Sequence, residues 1–303
     1  MLGQLLLAAS RSRLVRRSVS GLPLTRKVVD RFVAGETTHD AVAAVRRLTA
    51  AGLSATVDHL GEETRDSAQA AATAKAYVAL MDALREAGLR AEASVKLSAV
   101  GQAIDEKMAL EHAREICAAA HAAGSMVTLD MEDHTTVDST LEVLRALRED
   151  FPATGVAIQA YLHRTPGDLR DLAVEGSRVR LVKGAYREPA SVAHQSRTDV
   201  DRAYVRCLRI LMAGKGYPMV ATHDDRIISI TELLADRFGR TFGDYEYQML
   251  YGIRTDRQEE LAAAGHTVRV YVPYGDDWYG YFMRRLAERP ANVAFFLRAL
   301  GGK

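Results

Sequence analysis

Several features that mark specialised proteins are scarce in this sequence, and each absence excludes a class of function. The chain has only two cysteines, Cys117 and Cys207, which lie far apart and outside any Cys-x-x-Cys pattern. They predict buried free thiols of a reduced compartment rather than a disulfide or a thiolate metal site. Lysine and arginine total 40 residues against 39 aspartates and glutamates. This balance gives no reason to expect a nucleic acid as partner.

Long apolar segments are missing as well. The apolar run at residues 5–9 is far shorter than the roughly 20 residues that span a bilayer. Because Arg11, Arg13, Arg16 and Arg17 follow this run instead of preceding it, the charge order is not that of a secretory signal peptide. We expect a cytoplasmic protein whose first helix is either an ordinary soluble amphipathic helix or a peripheral contact with the inner face of the cell membrane.

The sequence does contain a regular alternation of strand-like and helix-like segments. Short aliphatic runs that end in small or polar residues alternate with longer runs of helical period, rich in alanine, leucine and arginine. The predicted strands are Leu53–Leu60, Glu92–Val100, Met126–Asp133, Gly155–Leu162, Val179–Tyr186, Pro218–Asp224, Tyr245–Leu250 and Thr267–Tyr274.

Eight such units predict a fold of the α/β class in which a parallel sheet closes into a (β/α)8 barrel over residues 51–303. Residues 1–50 are expected to form an N-terminal helical extension that packs on this single domain. A doubly wound open sheet is the alternative. It is disfavoured because the strand spacing is regular and no glycine-rich nucleotide loop occurs.

Within the predicted strands, one side-chain parity is aliphatic and the other is polar. Side chains of a barrel strand alternate between the helix layer and the interior, so we expect the polar set to point inward. This set includes Lys96, Asp130, Arg180, Glu246, Gln248, Gln159 and Thr222. Buried charges are costly unless they are paired or bound to a ligand. They predict a polar pocket at the carboxyl ends of the strands, although salt bridges that merely fill the barrel are an alternative.

Five motifs follow one another along successive units. They are Val182-Lys183-Gly184-Ala185-Tyr186, Ala221-Thr222-His223-Asp224, the segment from Tyr245 to Gly252, Tyr271-Val272-Pro273-Tyr274-Gly275, and the segment from Tyr281 to Glu288. Together they resemble the proline dehydrogenase family. The resemblance implies an FAD-dependent (β/α)8 barrel that oxidises L-proline to Δ1-pyrroline-5-carboxylate and passes electrons to a membrane quinone. The chain length resembles that of the monofunctional bacterial form, with no room for the aldehyde dehydrogenase module of the fused form.

Two adjacent arginines are the candidate anchors for the substrate. Arg284 and Arg285 follow Tyr281 by three and four residues, so the three side chains lie close together on one helix surface. Guanidinium groups suit bidentate capture of a carboxylate, whereas pairing with Glu288 is the alternative. The resemblance implies that both arginines bind the proline carboxylate with Lys96 as a third cation. It places around the proline ring and the flavin Leu250, Tyr186, Tyr271 and Tyr281.

The resemblance also implies the residues around the cofactor. Asp130 becomes a catalytic-site residue that holds Lys96 or Arg180, and Arg180 reaches the flavin near its N5 atom, where positive charge stabilises the reduced ring. For Glu246 and Gln248 we expect a role in holding this network or the cofactor. The other positions that match FAD contacts are Met131, Gln159, Lys183, Gly184, Ala185, Tyr186, Thr222 and His223. No cysteine or histidine lies in an evident flavin-attachment motif, so the FAD is expected to bind non-covalently.

Two other functions remain open at the level of the sequence. Asp130, His134, His223 and Asp224 could form the metal site of a barrel hydrolase, although no His-x-His spacing supports it and we expect no bound metal. A non-catalytic barrel that binds an amino acid is the second. The sequence designates no general base and does not define an oligomeric state.

Overall fold

Eight parallel strands form a closed barrel in the computed structural model, which describes residues 29–62 and 64–288. Each strand pairs with its neighbours in sequence, and β1 closes the barrel against β8 with a register that runs from Ser54 opposite Arg269 to His59 opposite Tyr274. The predicted (β/α)8 fold is confirmed. The strands are β1 Ser54–His59, β2 Glu92–Val95, β3 Val127–Leu129, β4 Gly155–Gln159, β5 Arg178–Val182, β6 Tyr217–Ala221, β7 Glu246–Leu250 and β8 Val268–Tyr274.

Helices surround this barrel. The helices of the described residues are α1 Thr38–Ala50, α2 Ser67–Glu86, α3 Glu106–Ala122, α4 Val137–Asp150, α5 Thr165–Leu172, α6 Arg197–Ala213, α7 Asp225–Arg237, α8 Thr255–Ala263 and α9 Trp278–Glu288. Several predicted strands were too long at their carboxyl ends. The segment predicted over Glu92–Val100 leaves the sheet after Val95, because the chain turns into the 3-10 helix Leu97–Val100. The polar residues that follow the strands therefore lie in turns at the mouth of the barrel.

The predicted alternation of side chains is confirmed within the strands. The aliphatic parity, such as Val95, Leu129 and Leu181, is buried in the core between barrel and helices. One assignment was wrong. Ala221 lies opposite Gln248 in the β6–β7 register and shares its inward parity, so Thr222, the next residue, belongs to the other parity.

The segment before α1 packs against the loop that follows β1 and against α9, the helix that follows β8. Val29, Phe32 and Val33 pack with Leu60 and with the α9 side chain Phe282 in a small separate hydrophobic cluster. Helix α1 packs against β1 and β8. The packing of this segment fixes the place of α9, the helix that carries Arg284 and Arg285.

The same segment approaches Gly252 so closely that this position requires glycine. Gly252 has a φ of +69°, and a Cβ atom there would lie 1.7 Å from the carbonyl oxygen of Arg31, so no larger residue fits.

The expected first helix, with the apolar run at residues 5–9, lies outside the described residues. Across the part of the chain that the structure describes, no helix is long and apolar enough to cross a membrane. Cys117 and Cys207 are buried free thiols, as predicted.

Candidate active site

Charged side chains from four strands meet near the carboxyl ends of the barrel. Lys96 Nζ lies 2.9 Å from Asp58 Oδ2 and 3.2 Å from Asp130 Oδ2. Arg180 Nη1 donates to Asp130 Oδ1 at 2.6 Å, and the Tyr271 hydroxyl donates to Asp130 Oδ2 at 2.8 Å. We call Asp58, Lys96, Asp130, Arg180 and Tyr271 the upper cluster. It brings together four of the residues predicted for substrate binding and catalysis.

The electrostatics of the upper cluster keep its charges in place. Burial alone raises the pKa of the Asp130 carboxyl, but Lys96 and Arg180, with hydrogen bonds from Ser94 and Tyr271, lower it to about 2. Burial opposes the charge on Lys96, yet Asp58, Tyr271 and Asp130 raise the pKa of its ammonium well above the usual value. Asp130 is therefore ionised and Lys96 protonated at neutral pH.

Two buried polar atoms, one in this cluster and one at the end of β4, have no hydrogen-bond partner among the described residues. One is Arg180 Nη2 and the other is Gln159 Oε1. An unsatisfied buried donor or acceptor costs about 1–3 kcal/mol, so a ligand that meets both atoms recovers that cost. Both residues are among those predicted to contact the cofactor.

A second set of charges fills the opposite end of the barrel. Glu92 accepts from Arg178 and lies 3.3 Å from Arg269, while Arg269 donates to both oxygens of Glu246 at 2.8 and 3.0 Å. We call Glu92, Arg178, Glu246 and Arg269 the floor cluster. Its two cations face two anions at the end of the barrel away from the mouth, so here the alternative of salt bridges that fill the barrel is correct. Arg178 Nε has no hydrogen-bond partner among the described residues.

The arginines of α9 lie at the mouth of the barrel. Arg284 holds the carboxylate of Glu62 with both terminal nitrogens, Nη1 at 3.2 Å and Nη2 at 2.6 Å. Burial lowers the pKa of Arg284, but Glu62, Tyr186 and Asp58 raise it above its usual value. The guanidinium of Arg285 lies 5.1 Å from the centroid of the Tyr281 ring. Arg284 is thus already engaged in two-point binding of a carboxylate.

Glu132 and Tyr186 complete the mouth. Ser98 donates to both oxygens of Glu132 through its backbone N–H and its hydroxyl. Burial nevertheless raises the pKa of Glu132, and burial with the nearby Glu132 and Glu62 raises the pKa of Tyr186. Leu250, at the end of β7, is partly buried, whereas Tyr281 and Met131 are buried.

The other predicted cofactor residues form a second group at the ends of β5 and β6. Lys183 pairs with Asp201 of α6 and lies 3.8 Å from Asp224. The Thr222 hydroxyl accepts the Asp224 N–H at 3.1 Å, and His223 Nε2 accepts the Leu250 N–H at 2.9 Å. In this structure all three side chains are engaged by the protein.

Gly184 and Ala185 follow Lys183 in the loop after β5. Gly184 has a φ of +120°, and a Cβ atom would lie 2.4 Å from ring atoms of Tyr161. This position requires glycine for both reasons. Ala185 is exposed and Tyr186 only half-buried, so this loop is accessible from the mouth.

The structure does not support the metal-site alternative. No group of three or more metal-ligating side chains occurs within residues 29–62 and 64–288. His134 is bound to Glu188 through its ring and its backbone N–H. Asp224 is the N-cap of α7. The four residues proposed as ligands are therefore committed to different structural contacts.

Two site residues were missed in the sequence. Asp58 binds Lys96, and it has the same inward parity on β1 as Thr56, which lies beside Glu92. The parity argument applied to the first strand would have found it. Glu62 lies in the loop after β1 and meets Arg284 from a distance of 222 residues in sequence. No periodicity points to that contact.

Comparisons with known proteins identify the family of this chain. A sequence model of the proline dehydrogenase family matches residues 41–298. Proline dehydrogenase 1 of Bacillus subtilis is 42% identical over 276 residues, which cover 91% of this chain and 91% of that protein. The proline dehydrogenase of Deinococcus radiodurans is 44% identical over 278 residues and 90% of each chain. The bifunctional protein PutA of Escherichia coli is 29% identical, with 96% of this chain but 26% of PutA covered.

Solved structures show the same fold. Proline utilization A from Bdellovibrio bacteriovorus, inactivated by N-propargylglycine, superposes with a TM-score of 0.81 at 24% identity, covering 87% of this chain and 33% of that one. The Bradyrhizobium japonicum protein gives a TM-score of 0.75 at 25% identity, covering 91% of this chain and 32% of that one. On the strength of the family model and of the curated relatives that it covers almost completely, the chain belongs to the proline dehydrogenase family, the enzymes that oxidise proline in its catabolism.

Proposed function

We propose that this chain binds FAD non-covalently and oxidises L-proline to Δ1-pyrroline-5-carboxylate, with Asp130 and Arg180 at the reacting centre. The observation that carries the proposal is the buried guanidinium of Arg180, held on two sides by the protein while Nη2 has no hydrogen-bond partner among the described residues. Such an atom suits an acceptor on a ligand. Membership of a family that oxidises proline supports a redox cofactor as this ligand.

The donor set fits a flavin. Arg180 Nη2 would donate to the isoalloxazine ring near N5, and Gln159 Oε1 would accept from a ring N–H. When bound, FAD would supply the acceptor for the hydride that leaves the ring carbon beside the proline nitrogen. A fixed cation beside that atom stabilises the negative charge that develops. Met131, Lys183, Gly184, Ala185, Tyr186, Thr222 and His223 would hold the remaining parts of the cofactor.

The substrate carboxylate fits the cations at the mouth. Arg284 already binds a carboxylate, that of Glu62, with two nitrogens, and a proline carboxylate that takes both positions displaces Glu62. Arg285 and Lys96 add positive charge at the same end of the barrel. Tyr271, Tyr281, Tyr186 and Leu250 would surround the ring. Orientation by these groups, more than proton transfer, supports the reaction.

The substrate must lose one ammonium proton before hydride leaves the adjacent carbon, and no described side chain is assigned as the base. Binding among Lys96, Arg284 and Arg285 favours the neutral amine, because nearby cations destabilise a further positive charge. This effect shifts the substrate toward its reactive form, and the proton passes to solvent water.

We further propose that the electrons leave to a membrane quinone, as the resemblance implies. A peripheral contact of a cytoplasmic protein with the inner face of the cell membrane would bring the site to that acceptor. The basic residues Arg11, Arg13, Arg16 and Arg17 support attraction to anionic lipid.

The test is the optical and chemical behaviour of the purified chain. We expect flavin absorption, release of intact FAD on denaturation, and bleaching of that absorption by L-proline under anaerobic conditions. D-proline and L-alanine serve as matched substrate controls, since D-proline has the opposite configuration at the α-carbon and L-alanine has no ring. Colourless protein that gains no activity with added FAD would contradict the proposal.

A further inference from the structure

The guanidinium of Arg180 donates hydrogen bonds from two of its edges. The partner on one of these edges also contacts the floor cluster. On one edge, Nη1 donates to Asp130 Oδ1 at 2.6 Å and to Ser94 Oγ at 2.8 Å. On the other, Nε donates to Gln248 Oε1 at 2.5 Å. All three partners lie inside the barrel. Two anchored edges fix the plane of a guanidinium, which a single edge does not.

Gln248 joins the two clusters of charge. Its amide nitrogen donates to Glu246 Oε1 at 2.6 Å, while its carbonyl oxygen accepts from Arg180. A primary amide has distinct donor and acceptor ends, so a fixed acceptor at one end determines which end faces Arg180. Gln248 and Glu246 are both buried, where water does not compete for these bonds.

Glu246 itself accepts hydrogen bonds from Gln248, Arg269 and Tyr217. Arg269 donates to both of its oxygens, and the Tyr217 hydroxyl donates to Oε2 at 3.2 Å. Burial alone would raise the pKa of Glu246, but Arg269 lowers it. The carboxylate is therefore ionised, acts only as an acceptor, and holds the amide of Gln248 in one orientation.

We infer that Gln248, oriented by Glu246, is a positioning residue that fixes the Arg180 guanidinium toward the flavin, so that the floor cluster contributes to the redox properties of the site. The inference rests on the proposed function. A role confined to stability would leave the potential of a bound flavin unchanged. A positioning role requires that loss of the Gln248 contact weaken the interaction of Arg180 with the reduced ring.

The primary test is the flavin midpoint potential of Gln248→Met, measured in the full-length holoenzyme by dithionite titration against a reference dye. This readout needs no proline and no turnover. We expect the preference for reduced over oxidised FAD to fall roughly three- to tenfold, which lowers a two-electron potential by about 15–30 mV. The kcat for proline should fall about tenfold, while KM changes less than about twofold. Gln248→Leu provides a second apolar replacement if the methionine variant does not fold.

The matched control is Thr231→Val. The buried Thr231 hydroxyl donates to the Ile227 carbonyl oxygen at 2.7 Å within α7, so this change removes a buried hydrogen bond without touching Arg180, Gln248 or the floor cluster. It should lower stability and leave the potential at the wild-type value. A double-mutant cycle adds the decisive comparison, since Gln248→Met in an Arg180→Met background should shift the potential no further.

The outcomes distinguish failure of the proposed function from failure of the positioning role alone. Wild-type protein that binds no flavin overturns the proposed function. Wild-type protein that binds flavin, together with an unchanged potential in both Gln248 variants, overturns only the positioning role. Equal shifts with and without Arg180 would also overturn it, because Gln248 would then act on the flavin by another route.

Discussion

The floor cluster and the upper cluster contain the same kinds of charge inside one barrel, yet they differ in where they lie. In the floor cluster the cations of Arg178 and Arg269 face the anions of Glu92 and Glu246. Each cluster keeps one guanidinium nitrogen without a hydrogen-bond partner in the described chain, Arg178 Nε in the floor cluster and Arg180 Nη2 in the upper cluster. The upper cluster also adjoins the Arg284–Glu62 pair at the mouth.

The difference shows that buried charge by itself does not identify a site. Ion pairs at the amino-terminal end of the strands bear on stability, whereas those at the carboxyl-terminal end lie where barrel active sites are found. The comparison becomes testable by changing one member of each cluster and asking whether folding or chemistry responds.

The largest effect is expected for Glu92→Gln in the floor cluster. This change leaves Arg178 and Arg269 with Glu246 as the remaining anion of the cluster, and breaking a buried ion pair costs about 3–5 kcal/mol of unfolding free energy. Urea unfolding measures the loss. The matched control is Asp82→Asn, which breaks the exposed pair with Arg85, half accessible on both sides, and should cost less than about 1 kcal/mol.

Arg180→Met should respond mainly in chemistry. Removing the cation beside the reduced flavin is expected to slow flavin reduction by about 10²–10³-fold and to lower the midpoint potential, while proline binding weakens less. Anaerobic reduction by excess proline and a dye-referenced redox titration give both quantities. A wild-type potential together with a wild-type reduction rate would show that Arg180 does not act on the flavin.

Arg284→Ala tests the mouth and should leave the FAD content intact. Loss of a charge-assisted carboxylate contact costs about 1.5–3 kcal/mol, which raises the KM for proline roughly ten- to a hundredfold. Arg284→Lys keeps the charge but loses the two-point geometry, so it should recover only part of the loss. Arg285→Ala is expected to behave like Arg284→Ala. Unchanged KM values in both alanine variants would return these arginines to structural pairs.

The smallest effect concerns acid stability. The pKa of Asp130 in the fold, about 2, lies below its ordinary value of 3.8, so its contribution to stability is present above pH 3.8 and is lost as the pH falls toward 2. The shift corresponds to about 2 kcal/mol. Asp130→Asn should flatten this part of the curve of unfolding free energy against pH. Equal slopes in wild type and variant between pH 4 and 2 would contradict the assignment.

Much of the site could be predicted because barrel strands impose a strict alternation. Lys96, Asp130, Arg180 and Tyr271 lie on inward positions at the ends of four strands, and the structure brings them into direct contact. Thr222 was misplaced because the inward parity of β6 belongs to the apolar residues Met219 and Ala221, so the polar residue that follows belongs to the other parity. The roles assigned to these residues by resemblance remain predictions.

Periodicity and ordered motifs are local properties of the chain, and they were enough to predict the barrel, the inward set of charges and the family. Which of those charges pair depends on the tertiary structure. It places the floor cluster and the upper cluster at opposite ends of the barrel, and it brings Glu62 to Arg284 and Gln248 to Arg180. Those contacts join residues 68 and 222 positions apart, and their partners are set by barrel closure and loop packing, which no short-range pattern encodes.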